Sequence, residues 1–508
     1  MAAVSALFCS TVFREGCANS RIQRFPPPLL RRETPCFLYG LPVFRLKLQH
    51  EIGKVIRLMH KGIVKKLSHL QVIALGYLLI ITCGALLLML PAASRDGTST
   101  SFTDALFTAT SASCVTGLVI ADTAVHWSLF GQIVILAMIQ IGGLGFMTIA
   151  TLFFFVLRRK IGLREREVMV ESINTTQVGG IVRLTKKIII ATAIFEITGA
   201  VLLSIRFVPE MGVGRGIYCG IFHSVSAFCN AGFDIMGTES APYVSFTRYA
   251  GDPLVNLTLM ALIVVGGIGF LVWDDISQNT WHIRRYRLHS KLALTTTGIL
   301  IAGGALLFFL LESPARAGEM QTGQQLLAAS FDSVTARTAG FNTTDTAALS
   351  SGGKLLTMIL MFIGGSPGST AGGIKTVTLA VLLLHCFSGI RRRGSSVAFG
   401  RRIEEDYLKR ATTILFINLS LALTGVLLIC GMQPDLALTD VLFEAFSAIG
   451  TVGLSTGITR EMGMLSQIVL IFLMYCGRIG SVTFAVALFE RRGPAPAVTH
   501  PSEKLTVG

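Results

Sequence analysis

Long, nearly uncharged windows alternate with short polar ones along this chain. Residues 67–94, 123–157, 253–273, 292–311 and 411–434 contain no Asp, Glu, Lys or Arg. Three further windows hold one charge each: Glu196 in 188–205, Lys375 in 355–390 and Arg478 in 462–489. A helix needs about 20 apolar residues to cross the hydrocarbon core of a bilayer. The pattern predicts eight spans and an all-α polytopic membrane protein.

A second pattern lies between the spans. "LFTATSASCVTGL" (106–118), "IFHSVSAFCNAGF" (221–233), "SFDSVTARTAGF" (330–341) and "LFEAFSAIGTVGL" (442–454) align. Each has a Phe near its start: Phe107, Phe222, Phe331 and Phe443. Four residues on comes Ser111, Ser226, Thr335 or Ser447, always followed by Ala. Each ends in Gly117, Gly232, Gly340 or Gly453 before Leu or Phe, and the third copy is one residue shorter. Each copy joins an odd span to an even one. The repeat is therefore span, short helix, small-residue turn, span. Four repeats in one orientation can surround a single pseudo-fourfold axis.

Each short helix is too short to cross and must enter and return. Its first turn is predicted to carry Thr108, His223, Asp332 or Glu444, where acids suit a helix N-terminus. Non-helical backbone at membrane depth persists only where protein or a water-filled path satisfies it. The returning segments are Val115, Thr116 and Gly117; Asn230, Ala231 and Gly232; Thr338, Ala339 and Gly340; and Thr451, Val452 and Gly453. Glycine leaves room at an axis and takes backbone angles closed to other residues. Four such strands could form a carbonyl ring that replaces the hydration shell of K⁺.

Below each turn, the second span carries a glycine cluster: "GGLGF" from Gly142, "GGIGF" from Gly266 and "CGRIG" from Cys476. In the third repeat it becomes "GGSPGSTAGGIKT", through Gly364, Gly365, Ser366, Pro367, Gly368, Ser369, Thr370, Ala371, Gly372 and Gly373 to Thr376. Five Gly and one Pro do not sustain a helix there. A break is predicted in the third inner helix, and broken helices lining a cavity commonly form gates or binding sites. An intramembrane charge is a functional candidate by default. Arg478 is expected to bind the loop carbonyls and repel cations, with a structural pair to Glu196 as the alternative. Lys375 is expected to snorkel to the interface.

Composition agrees with a membrane chain. Charged residues make up 14% and hydrophobic ones 52%, against about 25% charged in soluble domains. The net charge of +15 would suit nucleic acid, but its placement argues otherwise. Twelve Lys and Arg precede the first span, and the loops after spans 2, 4 and 6 hold eight, four and seven. The tail holds three, and the alternate segments hold one, three, three and one. Basic residues collect on the cytoplasmic side, so both termini are expected inside the plasma (inner) membrane and no nucleic-acid partner is implied. The Pro- and Arg-rich start, "RFPPPLLRRETPC", reads as a basic extension or an over-long start, and 52–67 as an amphipathic stretch at the inner face. The ten cysteines imply no disulfide framework.

On these four repeats and the glycine-rich run, the chain resembles the Trk/Ktr/HKT superfamily of potassium transporters over residues 52–492, in the eight-span bacterial Ktr form. The resemblance implies that the four glycines line a K⁺ selectivity filter and that Gly117, where sodium-permeable relatives have Ser, marks K⁺ selection. It implies that 364–373 partly plugs the pore and moves on opening, and that Arg337 points behind the filter. It also implies Na⁺ dependence in some members, a homodimer, and a cytosolic nucleotide-binding, KtrA-like regulatory ring. With no Walker A or Rossmann fingerprint in this chain, ATP or ADP would bind only the partner. The expected organisation is 1–66 as a basic cytoplasmic extension, partly disordered; repeats at 67–157, 186–273, 291–390 with its gating loop at 364–373, and 409–490; and a cytoplasmic tail at 491–508.

The leading expectation is a channel-like K⁺ uptake subunit, without cofactor and not an enzyme. A secondary symporter is a weaker reading, because alternating access favours inverted repeats or two halves. The K⁺-translocating subunit of a P-type ATPase complex would be expected to carry two more spans.

Overall fold

The computed structural model describes residues 68–156, 161–172, 179–280, 282–316, 318, 320–392 and 395–489. The predicted basic extension, amphipathic stretch and tail lie outside them. Seventeen α-helices and one two-residue hairpin make up the described fold.

Four long helices open the repeats: α1 (His69–Leu88), α6 (Ile181–Met211), α10 (Leu288–Arg316) and α14 (Glu405–Met432). At 1.5 Å per residue, even α1 spans about 30 Å, the thickness of the hydrocarbon core. Ser68 starts it with a capping box, accepting from the Gln71 amide while the Gln71 side chain accepts from the Ser68 amide. These helices turn apolar side chains outward, with Leu79, Ile197, Ile299 and Leu427 each more than half exposed. In water such a surface would be a liability; against lipid it is the solvated face.

The short helices are α2 (Phe102–Cys114), α7 (Val213–Phe228), α11 (Thr322–Thr335) and α15 (Leu438–Gly450). Each packs against the long helix that precedes it. Their buried faces are rich in small and hydroxylated residues, including Thr110, Ser111, Ser113, Ser224, Ser226, Ser333 and Ser447. Small and polar residues let backbones approach inside a membrane bundle. The molecule is thus apolar outside and partly polar inside.

The inner helices differ from the predicted straight spans. α3 (Leu129–Leu144) stops at Gly145 and resumes as α4 (Phe146–Val156); α5 (Leu163–Ser172) follows and packs on α1. α8 (Pro253–Ile268) stops at Gly269 before α9 (Phe270–Asn279), with a 93° bend between them. α12 (Ser351–Phe362) opens into 363–375 before α13 (Thr376–Ile390), which leads into the β1 (Val397–Ala398) and β2 (Arg401–Arg402) hairpin. α16 (Met464–Ile479) stops at Gly480 before α17 (Ser481–Phe489). All four inner helices are broken, not the third alone. Gly145, Gly269 and Gly480 adopt φ of +79°, +104° and +94°, a region L side chains rarely enter. The last glycine of each of these three clusters is a hinge that no helix passes through.

A ring of four return segments above a glycine-rich loop

Each return segment begins where its short helix unwinds. Val115, Asn230, Thr338 and Thr451 take φ of +58°, +58°, +73° and +51°. Two residues later Gly117, Gly232, Gly340 and Gly453 take +94°, +69°, +83° and +93°. A left-handed β-branched residue is a true outlier. Finding a left-handed residue at one position of all four repeats, β-branched in three, marks strain held by the surroundings.

The holding groups are the Ser and Thr residues of the sequence repeat. The Thr116, Ala231, Ala339 and Val452 amides donate to the carbonyls of Ser111, Ser226, Thr335 and Ser447 at 2.8, 2.8, 2.9 and 2.9 Å. The same four side chains make a second bond. Ser111 Oγ and Ser447 Oγ accept from the Gly117 and Gly453 amides at 3.0 and 3.1 Å. Ser226 Oγ and Thr335 Oγ1 instead donate to the Phe233 and Phe341 carbonyls at 2.7 and 2.5 Å. Side-chain to backbone bonds of this kind offer the chain an alternative to helix.

The four segments close on one another. A Cβ placed on Gly117 would lie 2.5 Å from the Ala231 carbonyl oxygen, and on Gly232 it would lie 2.7 Å from that of Ala339. On Gly340 and Gly453 it would overlap the carbonyl oxygens of Val452 and Thr116. The contacts run from repeat 1 to 2, 2 to 3, 3 to 4 and 4 back to 1. All four glycines line one cavity of about 310 Å³, together with Asp122, Asp234, Asp345 and Arg460. The Thr116, Thr338 and Thr451 hydroxyls are buried without a hydrogen-bond partner.

Thr108, His223, Asp332 and Glu444 do not occupy first turns. The short helices start earlier than the sequence pattern suggests, and all four residues lie well inside them. Asp104 and Asp440 are the first-turn acids of α2 and α15.

Segment 363–375 of repeat 3 lies against repeats 2 and 4. Ser366 and Thr370 amides donate to Gly267 and Gly266 carbonyls at 2.9 and 3.2 Å, and the Phe270 amide donates to Gly368 O at 2.7 Å. Thr370 Oγ1 donates to Phe228 O at 3.0 Å. Gly372 sits so close to Thr451 that a Cβ on it would overlap the Thr451 hydroxyl. The loop also closes on itself, through Gly364 N to Ile374 O at 2.8 Å and Thr376 N to Gly365 O at 3.0 Å.

Arg478, in the last turn of α16, donates through Nη1 to Thr370 O and through Nη2 to Gly142 O, and to Gly143 O at 3.1 Å. It thereby ties the loop to the end of α3. Glu196 is not its partner; both Glu196 oxygens accept from Gln140 Nε2, at 2.9 and 3.2 Å. Lys375 does not snorkel. Its Nζ donates to Ala371 O at 2.7 Å and Gly372 O at 3.3 Å. Arg337 is buried and turns to the base of the loop, with Nη2 donating to Gly364 O at 3.4 Å. The bond from Arg478 to the loop carbonyl was expected, but its reach to Gly142 and the bond from Arg337 to Gly364 were not, because no spacing rule couples residues 336 or 27 positions apart.

This arrangement is that of a multi-pass cation transporter. The TrkH family of cation transport proteins matches residues 71–492, and the chain belongs to it. Its members are transporters, not enzymes. The chain is 41% identical over 457 residues to the potassium/sodium uptake protein NtpJ of Enterococcus hirae, covering 89% of this chain and all of that one. It is 41% identical over 418 residues to the Ktr system potassium uptake protein B of Bacillus subtilis, covering 82% and 91%. The crystal structure of the potassium transporter TrkH from Vibrio parahaemolyticus shares the fold, with a TM-score of 0.67 at 19% identity over 84% of this chain and 86% of that one.

Proposed function

We propose that the chain is the pore-forming subunit of a K⁺ uptake system, with Gly117, Gly232, Gly340, Gly453 and the two residues before each as its selectivity filter. The closed cycle of glycine-to-carbonyl contacts between repeats carries this reading. A K⁺ ion on the axis would exchange water for backbone oxygens from four quarters, and no quarter could narrow without moving the next. The membrane potential supplies the drive, about 2.3 kcal/mol per charge for each 100 mV.

The loop 364–373, held by Arg478, serves as the gate below the filter. The guanidinium adds a positive barrier where a cation would leave. The repeats at 67–157, 186–273, 291–390 and 409–490 form the four quarters, with both termini on the cytoplasmic side. The relatives named as parts of Ktr systems support a membrane protein that works with other subunits; in our reading these are a second copy of the chain and a cytosolic nucleotide-binding ring, and Na⁺ dependence is consistent with the potassium/sodium relative. ATP or ADP would act through that ring.

The test is ⁸⁶Rb⁺ and ²²Na⁺ flux into proteoliposomes, with and without the ring protein. The expected result is K⁺-competed Rb⁺ uptake that rises when the ring is added. Flux driven only by ATP hydrolysis in a co-purified subunit, or strict stoichiometric coupling to a second ion, would overturn it.

A further inference from the structure

Three of the four residues displaced from the first turns bond the strand that leaves their own glycine. In repeat 4, Glu444 Oε1 accepts from Ser455 Oγ and from the Thr456 amide at 3.3 Å, while Oε2 accepts from Thr459 Oγ1 at 2.8 Å. In repeat 3, Asp332 accepts from Thr344 Oγ1 at 3.1 Å and from Arg316 Nη2 at 2.9 Å. In repeat 2, His223 Nε2 accepts from the Ile235 amide at 3.1 Å, so its Nδ1 carries the proton and donates to Cys219 O at 2.7 Å. Each tie runs from a short helix to the strand leaving its own glycine. All three side chains are buried.

Repeat 1 has no such tie. Thr108 occupies the matching place, is buried, and makes no side-chain hydrogen bond to the strand leaving Gly117 among the described residues. The strand leaving Gly117 is held from outside instead. Tyr243, from the repeat 2 linker, donates its hydroxyl to Ile120 O at 3.0 Å and its amide to Asp122 Oδ2 at 2.6 Å. Tyr243 is itself left-handed, with φ of +60°. The Arg460 guanidinium of repeat 4 stacks on its ring, 4.1 Å from the centroid. Tyr243 and Arg460 both line the cavity above the glycines.

We propose that Glu444, Asp332 and His223 are positioning residues for ion selection, and that Tyr243, clamped by Arg460, performs the same task for repeat 1. This rests on the glycine ring being the selectivity filter. A carbonyl ring discriminates between ions only if its oxygens resist closing around the smaller one. The ties supply that resistance in three quarters from within and in the fourth from the neighbouring linker. Selection in repeat 1 therefore depends on contacts at the outer mouth, where the other three depend on buried ones.

The test is competition of ⁸⁶Rb⁺ uptake by K⁺ and Na⁺ in proteoliposomes of the full chain. Tyr243→Phe removes one hydroxyl at a half-buried site and should lower K⁺ preference over Na⁺ by about fivefold, the factor one net hydrogen bond allows. Glu444→Leu should lower it by at least about tenfold, while Glu444→Gln, which keeps an acceptor, should restore it to within about twofold of wild type. Thr108→Val should change nothing. Gly453→Ser separates the two layers of the argument. If it alters selection while Tyr243→Phe and Glu444→Leu do not, the ties are scaffolding only and the inference fails. If Gly453→Ser leaves selection intact, the filter reading itself falls.

Discussion

The return segments and the inner-helix breaks belong to the same four repeats, yet only the first set keeps fourfold likeness. At the glycine ring every quarter has a left-handed residue, a glycine two positions on and the same backbone bond to a Ser or Thr. Below it, three inner helices turn at one glycine and the third opens over 363–375. The difference follows from what each region touches. In the ring, each quarter packs on the next, so a change in one would propagate around all four. Below, one loop takes its contacts from repeats 2 and 4, through Gly266, Gly267 and Thr451, and Arg478 of repeat 4 links it on to Gly142 of repeat 1. A single chain encoding four units can vary one alone, which four identical subunits could not. On the proposed roles, selection favours sameness and regulation favours one odd quarter.

The harshest way to break the comparison is to add a methyl to the ring. Gly340→Ala would force a Cβ onto the Val452 carbonyl at φ +83°. Left-handed strain alone costs on the order of 1–3 kcal/mol, and backbone overlap comes on top. K⁺ uptake should fall at least about a hundredfold, or K⁺ preference should be lost. Gly303→Ala, with nothing within 4 Å of its Cβ, is the matched control. Near-normal selective flux in well-folded Gly340→Ala would remove the ring from the ion path.

The next test strikes the odd quarter. Arg478→Gln removes charge-assisted bonds worth roughly 1.5–3 kcal/mol each from the loop and from Gly142. Flux without a regulatory partner should rise by about tenfold, with K⁺ preference unchanged. If Glu196→Gln produced the same gain, the tie from Arg478 to the loop would not be the restraint, because Glu196 bonds Gln140 and not Arg478.

Much of this architecture was legible because it is written in local pattern. The four glycines, the Ser or Thr preceding each, and the proline-glycine run at 364–373 all stand out by spacing or composition. The hinges at Gly145, Gly269 and Gly480 were visible as glycines but not as breaks, since a helix tolerates a glycine and only the φ value decides. The starts of the short helices were misread because the repeated signature begins at Phe107, Phe222, Phe331 and Phe443, already inside the helices. The partners of Arg337 and Tyr243 were out of reach, because they are set by how distant segments come together, and sequence spacing carries no such information.

Lys375 should have a smaller effect than Arg478. It bonds Ala371 and Gly372, within its own loop, and so stiffens the loop without anchoring it elsewhere. Lys375→Met should raise partner-free ⁸⁶Rb⁺ flux by about threefold. A gain equal to that of Arg478→Gln would mean that the loop is held by its own stiffness and not by its tie to α3.

The smallest effects should come from the single-glycine hinges, and they should not be equal. A Cβ on Gly145 or Gly480 would find its nearest neighbour at 3.4 or 3.5 Å, the Ser172 Oγ and Thr483 Oγ1 hydroxyls. Both sites have room, so Gly145→Ala and Gly480→Ala should cost only the strain of a positive φ, on the order of 1–3 kcal/mol. Thermal unfolding in detergent should show a modest loss, with flux per folded protein unchanged. Gly269 has a similar φ but a different neighbour: its Cβ would meet the Pro367 carbonyl at 2.7 Å, inside the odd quarter's loop. Gly269→Ala should therefore lower stability somewhat more and also displace the loop, so partner-free flux should change in this variant alone of the three. If all three hinges alter flux alike, the bends themselves form the gate and the third repeat has no special place. If none does, the loop tolerates displacement at Pro367 and its hold must come from Arg478 on the opposite side.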